Sequence, residues 1–517
     1  MDFLHSIKLI QGGMGVYVSN WRLARAVAAA RPGITAGTVS GTGLDIVYVR
    51  LLQLGDPGGH VRRALAAFDS RFGVEIGRGI CEKYFIDGGK APTARFKAAP
   101  LQTIRTLKGD RAVPRSDQPG EPITLAMDDE VIELVIASAF AEVWLAKEGH
   151  SGRVFINFLN KVEQPLIYAM YGAMLAGVDG IVVGAGNPDG LPAVRTRLVD
   201  HLPVTHDVSV LYREAGETFQ MTLDPRQIAG GRLARQPLAR PAFLAIVSLE
   251  SLVLALAQSP SEPPDGFIIE HHTAGGHNAG PQGPVRRDEK GQPIYSELDE
   301  PDLAAICQAG RPFWLAGGYA SREGLANALA AGARGVQVGS TFAMAEESGL
   351  KPAYRTAIFN ELKKGTDEAD LVHTTLYSPT GFPFKVAQLP GTLSEEAVYA
   401  DRRRVCDLGL LQQRGLTQPD ENGVRQIFQR CPAAPVEDFV RKRGLPRNTE
   451  EKRCLCNGLL ACVGLGQMVR RVGEMVEEPA IVTLGNHLDG IRRLSGNGQI
   501  AYWAADVVTD LLGPDGG

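Results

Sequence analysis

Two glycine-rich turns late in the chain could bind a phosphate group. The stretch from Pro312 to Phe342 reads as a strand, a turn at Gly317-Gly318, a helix, a second strand and a turn at Gly339-Ser340. Tight glycine turns expose backbone N–H groups, and an adjoining helix N-terminus adds positive dipole. We therefore expect Gly317, Gly318, Gly339 and Ser340 to cradle an anion. The alternative is that these glycines only make tight turns between strands and helices.

A second candidate group follows another apolar run, where Phe267 to Glu270 continue into His271-His272-Thr273-Ala274-Gly275-Gly276-His277. Gly275 and Gly276 would let a flat ring lie against the backbone, with His277 above its reactive face. An imidazole can take or give a proton near neutral pH, or orient an anionic substrate. We interpret His271 and His272 as strand-end residues that fill polar space. A metal site is the alternative, although three histidines in one stretch do not by themselves set tetrahedral geometry.

A flavin mononucleotide (FMN) would supply both the phosphate and the flat ring, and two features near the start of the chain could also contact it. In the loop Ile10-Gln11-Gly12-Gly13-Met14-Gly15, backbone amides could face a flavin edge while Met14 packs beside the ring. The loop lacks the G-x-G-x-x-G spacing of a dinucleotide fingerprint. Asn157 is a polar residue inside an apolar strand and needs a partner if it is buried. A flavin oxygen would supply that partner, and so would a backbone carbonyl.

The elements that must position these residues alternate between strands and helices. Short β-branched runs recur before glycine-rich turns and helical stretches, which is typical of parallel α/β folds. Eight such strands predict a closed (β/α)₈ TIM barrel rather than an open sheet. The predicted strands are Ile7 to Gln11, Ile34 to Val39, Val154 to Leu159, Gly180 to Gly184, Phe243 to Val247, Phe267 to Glu270, Phe313 to Ala316 and Gly335 to Val338.

Helix caps and insertions complete this prediction. Ser19 is expected to cap a helix from Asn20 to Ala30, and Ser321 to cap one from Arg322 to Ala331.

The barrel is predicted to span residues 1–350, with insertions at 60–150 and 205–240. The first holds Pro- and Arg-rich sequence from Ala98 to Gly120 and a helix from Asp128 to Lys147. The second holds a β-hairpin between Val208 and Leu223. Residues 351–517 are predicted to form a mostly helical region beside the barrel.

Composition narrows the range of partners. The 54 basic and 58 acidic residues give a formal charge of -4, so no basic field exists to attract nucleic acid or an anionic membrane. The start of the chain has no signal-peptide pattern, and the apolar stretches are too short to span a bilayer. We therefore expect a cytoplasmic enzyme that acts on a small molecule. The sequence leaves open whether the chain forms a homo-oligomer.

Five of the seven cysteines lie after residue 400. Thiolates from separate loops could converge on zinc or on an iron–sulfur cluster, with Cys406, Cys431, Cys454 and Cys456 as the candidate ligands. The spacing lacks the usual C-x₂-C pairs, so ordinary reduced thiols are the alternative.

Taken together, IQGGMG, INFLN, TAGGHN, LAGGYAS and GVQVGSTF resemble the nitronate monooxygenase family in order and spacing, over roughly residues 5–45 and 150–350. The resemblance implies a TIM barrel with FMN at its C-terminal face and His277 as the catalytic residue. It also implies flavin contacts from Gly13, Met14 and Asn157, and phosphate contacts from the two glycine turns. The chain departs from the family at Thr273, where a Glu is usual, and in the length of its insertions.

Three functions follow from this resemblance. The first is a monooxygenase that oxidises a nitronate or similar anion with O₂ through FMN. The second is an NAD(P)H-dependent FMN enoyl-thioester reductase, because the same barrel serves such enzymes. The third is a flavin-binding or scaffold protein without catalysis.

Overall fold

Eight parallel strands form a closed barrel, confirming the predicted (β/α)₈ fold. In this computed structural model they are labelled β1 to β8 in chain order, and each pairs with its sequence neighbours while β1 also pairs with β8. The strands are Leu9–Gln11, Thr35–Ser40, Arg153–Leu159, Gly180–Gly184, Ala242–Val247, Gly266–Glu270, Phe313–Ala316 and Gly335–Val338. The structure describes residues 2–106, 111–113, 120–402, 404, 406–471, 473–496 and 501–514.

The barrel strands are apolar because both of their faces are buried. On β4, Val182 belongs to the cluster that fills the barrel, whereas Ile181 and Val183 pack outward against helices. Successive side chains of a strand point to opposite faces, so a strand covered on both sides reads as a continuous apolar run. The barrel interior is closed at its centre by large side chains such as Trp314 and Phe155.

Helices surround the barrel, and several of them belong to the insertion predicted after β2. The helices of the barrel and its insertions are Trp21–Ala30, Leu44–Gln53, His60–Phe72, Ile76–Tyr84, Asp129–Lys147, Glu163–Leu175, Leu191–Val199, Glu250–Ala257, Leu303–Gln308, Arg322–Ala330, Ser340–Ala343 and Pro352–Lys363. Short strands within the insertion are Arg105–Thr106, Ala112–Val113 and Ile123–Ala126. Part of the predicted Pro- and Arg-rich stretch, at 107–110 and 114–119, lies outside the described residues.

One predicted helix cap is wrong. Asn20, not Ser19, caps the helix Trp21–Ala30, since its side chain accepts from the N–H groups of Arg22 and Leu23. The Ser19 hydroxyl instead accepts from the Met14 N–H at 3.0 Å and so braces the glycine-rich loop after β1. The cap predicted at Ser321 is confirmed, because its side chain accepts from the Gly324 N–H.

The second insertion contains the predicted hairpin with shifted bounds. Val204–Asp207 pairs antiparallel with Phe219–Leu223, and the turn between them is longer than the sequence indicated.

The C-terminal region combines the expected helices with strands that the sequence interpretation did not predict. Its helices are Glu368–Leu371, Glu396–Ala400, Val436–Arg441, Cys456–Ala461, Asp489–Leu494 and Ala504–Leu512. Its strands are Val372–Tyr377, Pro383–Ala387, Gln413–Leu416, Arg425–Arg430, Met468–Arg471 and Glu474–Glu477. Strand Pro383–Ala387 pairs with the short strand Gly276–His277 that follows β6, so this region covers one end of the barrel.

Among the helices of the described residues, none combines the length and apolar character needed to cross a membrane.

Candidate functional site

A cavity of about 370 Å³ lies at the carboxyl ends of the barrel strands. Its floor is made by residues at or just after several strand ends, including Ser40, Gly184 and Ser248. Its opposite wall comes from the C-terminal region, through Phe382, Phe384, Leu410, Leu411, Cys456, Leu459 and Thr483. Active sites of TIM barrels occupy this face, and the volume lies within the range of small-molecule sites.

Most of the site residues predicted from the sequence line this cavity. They are Gly13, Met14, Asn157, Gly275, Gly276, His277, Gly339 and Ser340. Gly13 lies against the Asn157 side chain so closely that a Cβ atom at position 13 would stand 2.4 Å from the Asn157 Cβ. Such a contact is far inside van der Waals distance, so only glycine fits here.

The other predicted phosphate turn, Gly317-Gly318, does not line the cavity. A Cβ atom at Gly318 would stand 2.8 Å from the His487 ring, so that ring packs on the turn. The Gly485 N–H donates to the Ser340 hydroxyl at 2.8 Å. Residues 484–487 therefore lie across both glycine turns and separate Gly317-Gly318 from the cavity.

His277 presents a free nitrogen in a buried position. Its Nε2 atom is buried and has no hydrogen-bond partner among the described residues. The ring stands edge-on to Phe384, with 4.5 Å between ring centres. Burial, together with the nearby charge of Lys161, holds the pKa of His277 well below its ordinary value. Both effects favour the neutral imidazole, whose ring nitrogens can donate or accept a hydrogen bond.

Lys161, which the sequence interpretation missed, is a buried cation beside the same wall. Its Nζ atom is buried and has no hydrogen-bond partner among the described residues. The ammonium lies 4.4 Å from the ring centre of Phe382, a cavity residue. Burial holds the pKa of Lys161 well below its ordinary value. A buried lysine without a partner is costly to charge, and an anion bound beside it would favour the charged form.

Glu270 is a second residue that the sequence interpretation did not select. It ends β6 and lines the cavity. Burial raises its pKa to about 7. A carboxyl group with that pKa can exchange a proton near neutral pH. The available signal was an acidic residue at the end of an otherwise apolar strand.

His271 and His272 lie beside Glu300. The His271 Nε2 atom lies 2.9 Å from a Glu300 carboxylate oxygen, and its Nδ1 lies 2.8 Å from the Thr273 hydroxyl. The His272 ring stacks on Tyr295 with 3.8 Å between ring centres. The possible ligand atoms of His271, His272 and Glu300 all lie within 4.8 Å of one another.

The comparisons with known proteins fit this geometry. Residues 239–376, which span β5 to β8 and the loop of His277, match the family model described as nitronate monooxygenase. The resemblance to nitronate monooxygenases is thereby confirmed. The match also confirms the expectation that the chain is an oxidoreductase. No curated protein matches the chain.

Several solved structures are similar to the chain at low identity. FabK from Thermotoga maritima is 14% identical, with coverage of 99% of this chain and 93% of that chain and a TM-score of 0.44. Nitroalkane oxidase from Streptomyces ansochromogenes is 15% identical, with coverage of 75% and 78% and a TM-score of 0.38. The enoyl reductase domain of MlnA from Bacillus amyloliquefaciens is 11% identical, with coverage of 96% and 91% and a TM-score of 0.43. At these values the barrel assignment rests on the strand order observed here.

Proposed function

We propose that the protein is an FMN-dependent oxidoreductase that oxidises a nitronate or a similar small anion with O₂. The observation that carries the proposal is a set of three buried polar atoms without partners among the described residues. They are Lys161 Nζ, His277 Nε2 and Asn278 Oδ1. Two belong to residues that line the cavity, and the third, Lys161 Nζ, lies 4.4 Å from the ring of the lining residue Phe382. Buried polar atoms in proteins are nearly always hydrogen-bonded, so three unpaired ones together indicate a ligand.

The residues predicted to contact the flavin ring all line the cavity, whereas only one of the two predicted phosphate turns does. Gly13, Met14 and Asn157 line the cavity and would contact the flavin ring. Gly339 and Ser340 line the cavity and would hold the phosphate. Because residues 484–487 cover Gly317-Gly318, we assign those two glycines no phosphate contact while that segment stays in place.

The protein side chains would bind the anion and manage protons. Bound FMN would supply the electron-accepting chemistry and the reaction with O₂. Lys161 would attract the negative charge of the substrate, because an unpaired ammonium in a buried site interacts strongly with an anion. His277, neutral because of its burial, would accept a proton or donate a hydrogen bond to the substrate. Glu270, with its pKa raised to about 7, would take up or release a proton near neutral pH.

The apolar outer wall favours a second candidate function. Leu410, Leu411 and Leu459, with Phe382 and Phe384, line the cavity on the side of the C-terminal region. This surface would accommodate an acyl chain, as an NAD(P)H-dependent enoyl-thioester reductase requires. A nitronate needs much less apolar surface.

Anaerobic mixing of the yellow protein with each donor separates the two functions. Bleaching of the flavin by a nitronate without NADPH supports the monooxygenase, whereas bleaching by NADPH alone supports the reductase. In either case His277→Ala should keep its flavin and lose about 10²- to 10⁴-fold in turnover, the usual worth of a general acid or base. The matched control is His373→Ala, because His373 lies on the strand Val372–Tyr377, does not line the cavity, and its ring bonds the Ala369 carbonyl. An unchanged rate in His277→Ala would refute the role of His277.

A further inference from the structure

Four of the seven cysteines converge next to the cavity. Asp407, which follows Cys406, accepts from the Asn457 side-chain amide at 3.0 Å, and Asn457 follows Cys456. Arg404, two residues before Cys406, donates to the Ala433 carbonyl at 3.2 Å, two residues after Cys431. These two bonds tie the segments of Cys406, Cys431 and Cys456 to one another.

Cys454 joins the same group through Arg402. The Arg402 guanidinium donates to the Cys454 sulfur at 3.4 Å and to the Cys454 carbonyl at 3.1 Å, and Arg402 lies four residues before Cys406. The segments of all four cysteines therefore meet in one region. All seven cysteines of the chain are free of disulfides.

The remaining cysteines do not join this group. Cys462 is buried and donates to the Leu459 carbonyl at 3.0 Å. Cys307 is exposed and lies near the Ala331 carbonyl, 3.6 Å away. The convergence is therefore a property of four particular cysteines rather than of thiols in general.

A buried arginine donates a hydrogen bond to one of the four sulfur atoms. Arg402 donates to the Cys454 thiol at 3.4 Å and is held in place by buried Glu478 at 2.6 Å. The Ala434 N–H donates to the Cys431 carbonyl at 3.0 Å and so fixes the turn that follows this cysteine. Hydrogen bonds to sulfur are a means by which proteins stabilise and tune iron–sulfur clusters.

The spacing of the sulfur atoms distinguishes between one metal ion and a cluster. Four thiolates on a single tetrahedral zinc would stand about 3.8 Å apart, given Zn–S bonds of about 2.3 Å. Within the described part of the chain, no three of these thiols have sulfur atoms that all lie within 4.8 Å of one another. In a [4Fe–4S] cluster each cysteine binds a different iron, so the ligands stand farther apart.

We propose that Cys406, Cys431, Cys454 and Cys456 together bind a [4Fe–4S] cluster. The cluster would lie against the catalytic cavity, because Cys456 lines the same cavity as His277. It would place a one-electron redox centre beside the substrate pocket. Binding of the cluster is independent of the flavin, whereas its redox link to a flavin rests on the proposed function.

Metal analysis of the full-length protein, purified without oxygen, tests this assignment. We expect about four irons and four acid-labile sulfides per chain, together with a paramagnetic signal after dithionite reduction. Cys406→Ser, Cys431→Ser, Cys454→Ser and Cys456→Ser should each lose most of the iron, whereas the control Cys307→Ser should retain it. Released FMN is measured on the same samples, so a protein that retains iron and acid-labile sulfide but releases no FMN would sink the flavin proposal and leave the cluster standing.

Alkylation of the wild-type protein keeps the test decisive if the serine variants fail to fold. The four ligand thiols should resist iodoacetamide until a chelator removes the iron, while Cys307 reacts in both states. One zinc per chain, or no metal after anaerobic reconstitution with iron and sulfide, would overturn the proposal.

Discussion

Replacing Lys161 with methionine should separate its two roles, because the change acts in opposite directions on stability and on substrate binding. Methionine keeps the length of the side chain and removes the charge. In the free protein the Lys161 ammonium is buried, and its one contact of note is the Phe382 ring at 4.4 Å. That cation–π contact is worth about 1 kcal/mol. Burying an amino group without a hydrogen-bond partner costs about 1–3 kcal/mol, and an apolar side chain of similar volume avoids that cost. We therefore expect the variant to be as stable as the wild type or more so.

The effect on an anionic substrate should be a loss. A close charge pair in a buried site is worth about 2–5 kcal/mol, and the lower half of that range applies because burial already lowers the pKa of Lys161. A loss of about 2–3 kcal/mol corresponds to a 30- to 150-fold increase in KM.

Steady-state oxidation of a nitronate and urea unfolding measure the two effects on the same samples. Lys385→Met is the matched control, since Lys385 is also buried but is bonded to Asn486. Its substitution should cost stability and leave KM within about twofold. A Lys161→Met protein with unchanged KM and reduced stability would show that Lys161 is structural and that the anion binds elsewhere.

The remaining predictions concern the phosphate contact, the glycine loop and Glu270. Ser340→Ala should weaken FMN by about 10-fold and leave riboflavin, which lacks the phosphate, unchanged in a fluorescence-quenching titration; equal losses for both ligands would contradict a phosphate contact. Gly13→Ala should displace Asn157 and cost about 1–3 kcal/mol of FMN affinity. The control Gly12→Ala should bind FMN normally, because the nearest atoms to its Cβ belong to the Gln337 side chain, at 3.3 Å. Normal binding by both variants would contradict the loop contact. Because burial raises the pKa of Glu270 to about 7, wild-type stability should fall by about 3 kcal/mol as the pH rises from 4.5 to 7, since only the unfolded state ionises freely in that window. Glu270→Gln should remove this part of the decline in urea unfolding at pH 5 and pH 8, and parallel curves for the two proteins would show that Glu270 is not the group responsible.

Local sequence pattern was enough to predict the barrel. Runs such as Gly180–Gly184 and Phe313–Ala316 were predicted with the bounds that the structure has. Both faces of these strands are buried, so their apolar runs stand out against the polar helices and turns around them. The glycine loop and His277 were found for a similar reason, because each follows a strand end directly.

The features that were missed depend on contacts between distant parts of the chain. Lys161 and Glu270 look like ordinary charged residues in the sequence, and only their burial makes them candidates. The cover over Gly317-Gly318 comes from residues 484–487, more than a hundred positions away in the sequence. No local pattern indicates that such a segment crosses the turn. The helix cap was missed because Ser19 and Asn20 are both good capping residues and stand next to each other.

The central claim is that the cavity binds FMN, and it is tested most directly by measuring the FMN content of the wild-type protein and of a variant whose glycine loop is blocked. The purified wild-type protein and Gly13→Val, whose added side chain would collide with Asn157, are each denatured in acid, and the released FMN is quantified by its fluorescence. We predict one FMN per wild-type chain and less than about a tenth of that in the variant. A wild-type protein that releases no FMN and leaves the fluorescence of added FMN unquenched would contradict the account.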